Sequence, residues 1–156
     1  MKTNHNNQRL VSEVFEDVFD KYDLMNDLVS LGIHRLWKKD FINWLNPQKN
    51  TTLIDVASGT GDIAKLYLNK INYKGYVYCV DENIGMLDLN KKKLKESDKV
   101  KWFCNNAEKL PFQNNHFDYY TISFGIRNVN NINNALKEAY RVLKPGGDFY
   151  VWNFQK

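Results

Sequence analysis

The stretch Thr52-Leu-Ile-Asp-Val-Ala-Ser-Gly-Thr-Gly-Asp62 decides how the chain folds. Leu53, Ile54 and Val56 form an apolar, partly β-branched run that reads as a buried strand. Gly59 and Gly61 let the backbone turn sharply and approach a ligand closely, and Ile63-Ala-Lys-Leu-Tyr-Leu68 continues with helical spacing. A buried strand that passes through a glycine turn into a helix opens a site for a nucleotide-like ligand at one end of a sheet.

Downstream the alternation repeats. Gly75 precedes Tyr76-Val-Tyr-Cys-Val-Asp81, a second strand ending in a carboxylate, and a helix follows near Ile84 to Leu94. Val100-Lys-Trp-Phe-Cys104 is a third strand and Asp118-Tyr-Tyr-Thr-Ile-Ser123 a fourth. A helix from Ile132 to Leu143, stopped by Pro145-Gly-Gly147, leads to a fifth over Asp148-Phe-Tyr-Val-Trp-Asn-Phe154. This spacing predicts an α/β protein with a mostly parallel, doubly wound sheet, right-handed crossovers and helices on both faces. Upstream, Val11, Val14, Phe15, Val18, Phe19 and Tyr22 share one face of a first amphipathic helix. A second helix is read from Ile33, Leu36, Trp37, Phe41, Trp44 and Leu45, and Asn46-Pro47 ends it. Residues 1–50 are thus expected to be an N-terminal helical segment of the same domain whose core spans 51–156.

With 156 residues, 43% of them hydrophobic, the chain is the size of one domain and can bury a real core. Its formal charge of +4 comes mostly from lysine, densest at Lys91-Lys-Lys-Leu-Lys95 with Lys99 and Lys101 nearby. No aromatic residues interleave with these lysines, so the patch reads as a solvated helix face and not as a nucleic-acid site. A phosphate or anionic membrane surface is the alternative contact. Cys79 and Cys104 stand alone within strands, without metal-ligand spacing, and are expected as two buried reduced thiols with no metal. Met1-Lys-Thr-Asn-His-Asn-Asn-Gln8 lacks the apolar centre of a signal peptide, and no apolar run reaches the ~20 residues of a membrane span. A cytoplasmic protein, soluble or peripheral at the inner face of the membrane, is expected. The abundance of asparagine and lysine is read as compositional bias.

In a doubly wound sheet the ligand sits at the carboxyl ends of the strands. There this sequence places the backbone amides of Gly59, Thr60 and Gly61 with the carboxylates Asp55 and Asp62, then Asp81, Asn106-Ala-Glu108 and Ser123. A carboxylate closing the second strand can accept both hydroxyls of a ribose, and an amide side chain with a backbone amide can read an adenine edge. The turn is Ala57-x-Gly59-x-Gly61 with no later third glycine, and no Gly-Lys-Ser/Thr follows, which disfavours pyrophosphate and P-loop chemistry. An acidic residue at the start of the loop suits a cationic amino-acid group. A nucleoside joined to such a group is S-adenosylmethionine.

Asp55-Val-Ala-Ser-Gly-Thr-Gly-Asp62 resembles the first motif of class I methyltransferases, and more closely that of the ubiquinone/menaquinone biosynthesis C-methyltransferases. Tyr22-Asp-Leu-Met-Asn-Asp-Leu-Val-Ser-Leu-Gly-Ile-His-Arg-Leu-Trp37 resembles that family's N-terminal signature, and Arg141-Val-Leu-Lys-Pro-Gly-Gly147 its second signature. Asn106-Ala-Glu-Lys-Leu-Pro-Phe112 and Ile122-Ser-Phe-Gly-Ile-Arg-Asn-Val129 are similar as well, so the resemblance runs from about Val11 onward. It implies a Rossmann-like class I methyltransferase fold and cofactor contacts at Thr60, Asp81, Asn106, Ala107 and Ser123, with Gly59 and Gly61 supporting the pocket. Ser58 stands where glycine is common in the family. Class I methyltransferases usually finish with two more strands, and this chain is expected to lack them, as a fragment, a truncated reading frame or a chain that needs a partner. Its fifth strand, apolar on both faces, would then be an edge that an oligomer or partner chain covers.

The activity implied is methyl transfer from S-adenosylmethionine to a ring carbon of a polyprenylated quinol. Loss of a phenolic proton puts negative charge on the ortho and para carbons, so the reaction needs a proton acceptor near the hydroxyl and tight alignment. Candidates are Tyr22, Asp23, Asn26 and His34 in the N-terminal signature, with Arg127 and Asn128 after the fourth strand. His34 either takes the proton or is a hydrogen-bonded helix residue, and Arg127 either stabilises a phenolate or pairs with a carboxylate such as Asp23. Trp37 and Trp44, with Lys38 and Lys39, suit a lipid surface or plain packing. A methyltransferase for another small molecule, or a cofactor-binding module without turnover, are the competing readings.

Overall fold

Residues 33–94 and 97–153 are described by the computed structural model of the chain, with side chains from Arg35 onward. The helix expected over Val11 to Tyr22, and with it Tyr22, Asp23 and Asn26, lies outside the described residues, as do Phe154 and the side chain of His34. Helix α1 (Ile33–Leu45) stops where Asn46 takes φ 43° and its N–H donates to the Ile42 carbonyl at 3.1 Å. A left-handed asparagine satisfies a terminal carbonyl of the helix, and Pro47 bars its continuation. Asn50, Asn72 and Asn115 also have positive φ, so part of the asparagine excess serves turns that most residue types avoid.

Strands β1 (Thr51–Val56), β2 (Gly75–Asp81), β3 (Val100–Cys104), β4 (Phe117–Ser123) and β5 (Leu143–Trp152) form one sheet in the order β3-β2-β1-β4-β5, every neighbouring pair parallel. A parallel sheet buries both faces, hence the consecutive apolar residues in β1 and β2. Helices α2 (Asp62–Lys70) and α3 (Ile84–Leu94) follow β1 and β2, and α4 (Ile132–Val142) follows β4. From β1 the chain steps outward to β2 and β3, whereas β4 to β5 steps the opposite way. Right-handed crossovers therefore put α2 and α3 on one face and α4 on the other.

The packing agrees. Leu53, Val77 and Cys79 meet Ile63, Ala64, Tyr67 and Leu68 of α2, Leu87 and Leu94 of α3, and Phe41, Ile42 and Leu45 from the end of α1. On the other face Ile54, Val56, Val80, Tyr120 and Ile122 meet Ala135, Ala139 and Val142 of α4. Each fully buried side chain of Leu or Ile size contributes roughly 1.5–3 kcal/mol. Contacts group residues 41–156 as one unit and residues 1–40 as another.

Two sequence expectations need correction. The fifth strand begins at Leu143, not Asp148: Leu143 already pairs with Phe117, and Lys144-Pro-Gly-Gly147 bulges out before Asp148 resumes the ladder opposite Tyr119. Leu143 is buried in the core, and Gly146 at φ 80° turns the bulge. Cys79 is buried as expected but Cys104 is exposed. It ends β3, an outer strand of the sheet, and its Sγ donates to the Glu82 carbonyl at 3.4 Å. The basic stretch carries local partners: Lys91 pairs with Asp88 at 3.3 Å, Lys99 with Asp98 at 3.4 Å, and Lys101 lies over the ring of Tyr78.

Candidate functional site

The strand order reverses at β1. The chain leaves β1 towards β2 on one side and β4 flanks it on the other, so β1 is the switch point at whose carboxyl end a sheet of this kind forms its ligand crevice. Asp55, Ser58, Gly59, Thr60, Gly61, Asp81, Asn106, Ala107 and Ser123 all lie at this end of the sheet, at strand ends or in the loops that follow.

The glycine turn is held from several sides. Ser58 donates its N–H to Val80 O at 3.1 Å, and Gly61 its N–H to Ser58 O at 3.0 Å. Gly59 and Gly61 have φ 52° and 80°, and Ala57 before them has φ 53°, a conformation that disfavours a residue with a Cβ. Across the crevice Phe124 has φ 58° and Gly125 follows; a Cβ on Gly125 would lie 2.2 Å from the Cβ of Ala57. The two loops touch with no room for another carbon, and backbone strain sits on both. Gly61 caps α2 without a side-chain hydrogen bond, which leaves the helix N-terminus to backbone and ligand.

Asp81 ties the turn to the neighbouring strand. One carboxylate oxygen accepts the Gly59 N–H and the other the Asn83 N–H, each at 2.9 Å. Each oxygen keeps a lone pair for a hydroxyl. Asp55, 1% exposed, accepts a hydrogen bond from Thr121 Oγ1 at 2.7 Å, so its carboxyl group is held inside the sheet near the carboxyl end of β1. Burial and this carboxylate push the nearby Cys79 thiol well above its ordinary range. The Ser123 hydroxyl is buried and makes no hydrogen bond among the described residues. Buried polar groups are nearly always satisfied, so this hydroxyl is a ready partner for a ligand in the crevice.

The segment after β3 is fixed by two carboxylates. Asn106 Oδ1 accepts the Glu108 N–H at 2.7 Å, and Glu108 accepts the Asn131 N–H at 2.9 Å. Glu138 accepts the Leu110 N–H and pairs with Arg141, each at 2.7 Å; Arg141 in turn donates to the carbonyls of Phe112 and Leu110 at 2.6 and 3.0 Å. The Arg141 guanidinium holds the Glu138 carboxyl below its usual range. Arg141, quoted above only as part of a motif, thus clamps the loop that carries Asn106 and Ala107.

Asn90 has no counterpart in the sequence reading. It is fully buried on α3, donates from Nδ2 to Gly59 O at 3.3 Å and accepts from Trp102 Nε1 at 3.2 Å. The available signal was a polar residue in the apolar series Leu87, Asn90, Leu94. Of the catalytic candidates, Arg127 and Asn128 are exposed on a 3-10 turn (Ile126–Asn128) beside the crevice, with no carboxylate paired to Arg127 among the described residues. Their proposed companions Tyr22, Asp23 and Asn26 are outside those residues, and His34 is the second residue of α1, its side chain outside them too. A cavity of about 430 Å³ lined by Leu136, Tyr140, Leu143, Pro145 and Phe149 lies elsewhere, between α4 and the start of β5. Asn115 and Lys144 also line it, and none of the residues read from the sequence as cofactor contacts does.

The sequence profile of the ubiE/COQ5 methyltransferase family matches residues 2–156. The chain belongs to this family. Among similar proteins, the "Ubiquinone/menaquinone biosynthesis C-methyltransferase UbiE" of Rickettsia prowazekii (strain Madrid E) is 52% identical over 155 residues, covering 96% of this chain and 62% of that protein. The protein of the same name from Rickettsia bellii (strain OSU 85-389) is 48% identical over 159 residues with the same coverage. The chain thus spans about 62% of the length of these curated relatives. The sheet and its helices are also those of a putative S-adenosyl-L-methionine-dependent methyltransferase from Methanococcus maripaludis, with TM-score 0.72 at 19% identity over 85% of this chain and 60% of that one. The fold of this ubiE/COQ5 family member is accordingly the Rossmann-like α/β fold of class I methyltransferases.

Proposed function

We propose that this chain holds S-adenosylmethionine at the carboxyl ends of β1, β2 and β4 and belongs to an enzyme that methylates a ring carbon of a polyprenylated quinol in ubiquinone or menaquinone biosynthesis. The observation that carries the cofactor is the Asp81 carboxylate, fixed by Gly59 and Asn83 with lone pairs to spare at the end of β2, with the unsatisfied Ser123 hydroxyl at the end of β4 on the other side of β1. Both fit a nucleoside. The quinol acceptor is supported by the names of the Rickettsia relatives and by the N-terminal signature.

In this reading Asp81 accepts the ribose hydroxyls, Asn106 and Ala107 bound the adenine, and Gly59, Thr60 and Gly61 line the amino-acid part, with Asp55 supplying negative potential from below. When bound, the cofactor supplies an electrophilic methyl group on a sulfonium. The chain's own task is to align the ring carbon with that methyl and to exclude water. Tyr22, Asp23, Asn26, His34, Arg127 and Asn128 are the candidates for receiving the phenolic proton, stabilising the phenolate or positioning the ring. Exposed Trp44, 75% accessible, follows Lys38 and Lys39 and suits peripheral contact with the membrane that holds the substrate. No helix among the described residues is long and apolar enough to cross a membrane. β5 is an outer strand with Phe149 and Val151 exposed, an edge that suits cover by an oligomer or a partner chain.

The test is a transfer assay with radiolabelled methyl donor and either a demethylmenaquinol or a demethylated benzoquinol. Label in the quinol supports the proposal. Binding without transfer makes this chain a cofactor-binding module, and absence of binding removes the assignment.

A further inference from the structure

We infer that Asn90 and Trp102 form a positioning pair that holds the glycine turn in its ligand-ready shape from outside the crevice, so that cofactor affinity depends on a side chain with no access to the ligand. The inference rests on the cofactor reading above. Asn90 is on α3 and Trp102 on β3, while the turn follows β1, so the pair joins three elements at one point. The indole N–H only donates, which fixes Oδ1 towards Trp102 and Nδ2 towards Gly59 O. The N–H of that same Gly59 donates to Asp81. The chain of contacts therefore runs from Trp102 through Asn90 and Gly59 to the carboxylate assigned to the ribose.

The same amide sets the shape of the turn. A Cβ on Gly61 would lie 2.3 Å from Asn90 Oδ1, 2.6 Å from its Cγ and 2.8 Å from its Nδ2. Gly61 at φ 80° thus packs against the face of this amide, and only glycine satisfies both the dihedral and the contact. A purely space-filling role is better served by leucine, as at Leu87 and Leu94 on the same side of α3, because a buried amide costs free energy unless its atoms are bonded. Position 90 carries an amide that bonds the turn at Gly59, the indole of Trp102 and the thiol of Cys79. With no exposed surface, Asn90 acts through Gly59 and Gly61.

The experiment titrates S-adenosylmethionine into the native chain and into Asn90→Leu, Asn90→Asp and Trp102→Phe by calorimetry. Loss of the tether to Gly59 is expected to weaken affinity about tenfold in Asn90→Leu, with Asn90→Asp similar because an oxygen then faces the Gly59 carbonyl, and about threefold in Trp102→Phe. A structural role alone would lower the unfolding midpoint and leave the affinity of the folded fraction unchanged. The second readout uses the native chain: the indole N–H resonance of Trp102, assigned by its absence in Trp102→Phe, is expected to move on cofactor addition. If the Asn90 variants do not fold, Trp102→Phe and this resonance carry the test. Affinities within twofold of native in the folded variants, with an unmoved resonance, overturn the inference. Failure of the native chain to bind overturns the cofactor assignment instead, so the two outcomes are distinct.

Discussion

Substituting Gly61 by alanine separates packing from backbone strain within the glycine turn. An alanine at φ 80° pays about 1–2 kcal/mol for the left-handed conformation. Its Cβ would also stand 2.3 Å from Asn90 Oδ1, well inside contact, and the fully buried Asn90 has no solvent to move into. Displacing it breaks the bonds to Gly59 O and Trp102 Nε1, each worth about 1 kcal/mol. Gly61→Ala is therefore expected to cost roughly 3–4 kcal/mol, a large part of the 5–15 kcal/mol that holds a domain together. Gly59→Ala is the control: its φ is also positive, but nothing lies within 4 Å of its added Cβ, so strain alone of about 1–2 kcal/mol is expected. Urea unfolding with a constant m-value measures both. Combining Gly61→Ala with Asn90→Ala should cost about 1–2 kcal/mol less than the sum of the single changes, since the clash is removed with its partner. Equal losses for Gly61→Ala and Gly59→Ala, or strict additivity with Asn90→Ala, would refute the packing described for the turn.

Other outcomes follow from the same geometry. Gly125→Ala places a carbon 2.2 Å from the Ala57 Cβ and should force the loops after β1 and β4 apart, lowering stability by roughly 1–3 kcal/mol and weakening cofactor binding. An unchanged unfolding midpoint would count against that contact. Glu138 has a lowered pKa in the folded chain, mainly through its hydrogen bond to Arg141, so its stabilisation is complete above the unfolded carboxyl pKa and is lost as pH falls through the folded value. The stability gap between the native chain and Glu138→Gln should therefore be widest near neutrality and should close on acidification. A gap that widens towards low pH would show that the clamp is not electrostatic.

Much of this fold is legible from hydrophobic period alone. The helix at Ile84–Leu94 and the strand at Val100–Cys104 carry their spacing openly, and Asp81 announces itself as a carboxylate at the end of a strand. What escaped depends on neighbours that only the folded sheet supplies. Cys104 reads as buried because its strand is apolar, yet β3 lies on the outside of the order β3-β2-β1-β4-β5, which no local pattern states. Ala57 and Phe124 belong to types that avoid positive φ, so their strained backbones are invisible until the two loops meet at Gly125. Asn90 looks like an imperfection in an apolar stripe, and Arg141 like one letter of a motif. Their roles appear only when Trp102, Gly59, Glu138 and the loop before β4 come within reach.

The proposed S-adenosylmethionine site lies at the carboxyl ends of β1, β2 and β4, with Asp81, which closes β2, as the ribose ligand. Calorimetric titration of the native chain and of Asp81→Ala tests it most directly. Binding at one site per chain is expected, with affinity falling by about a hundredfold in Asp81→Ala as the ribose hydroxyls lose a charged acceptor and Gly59 loses its anchor. Absence of binding to the native chain, or the same affinity with and without the Asp81 carboxylate, would contradict it.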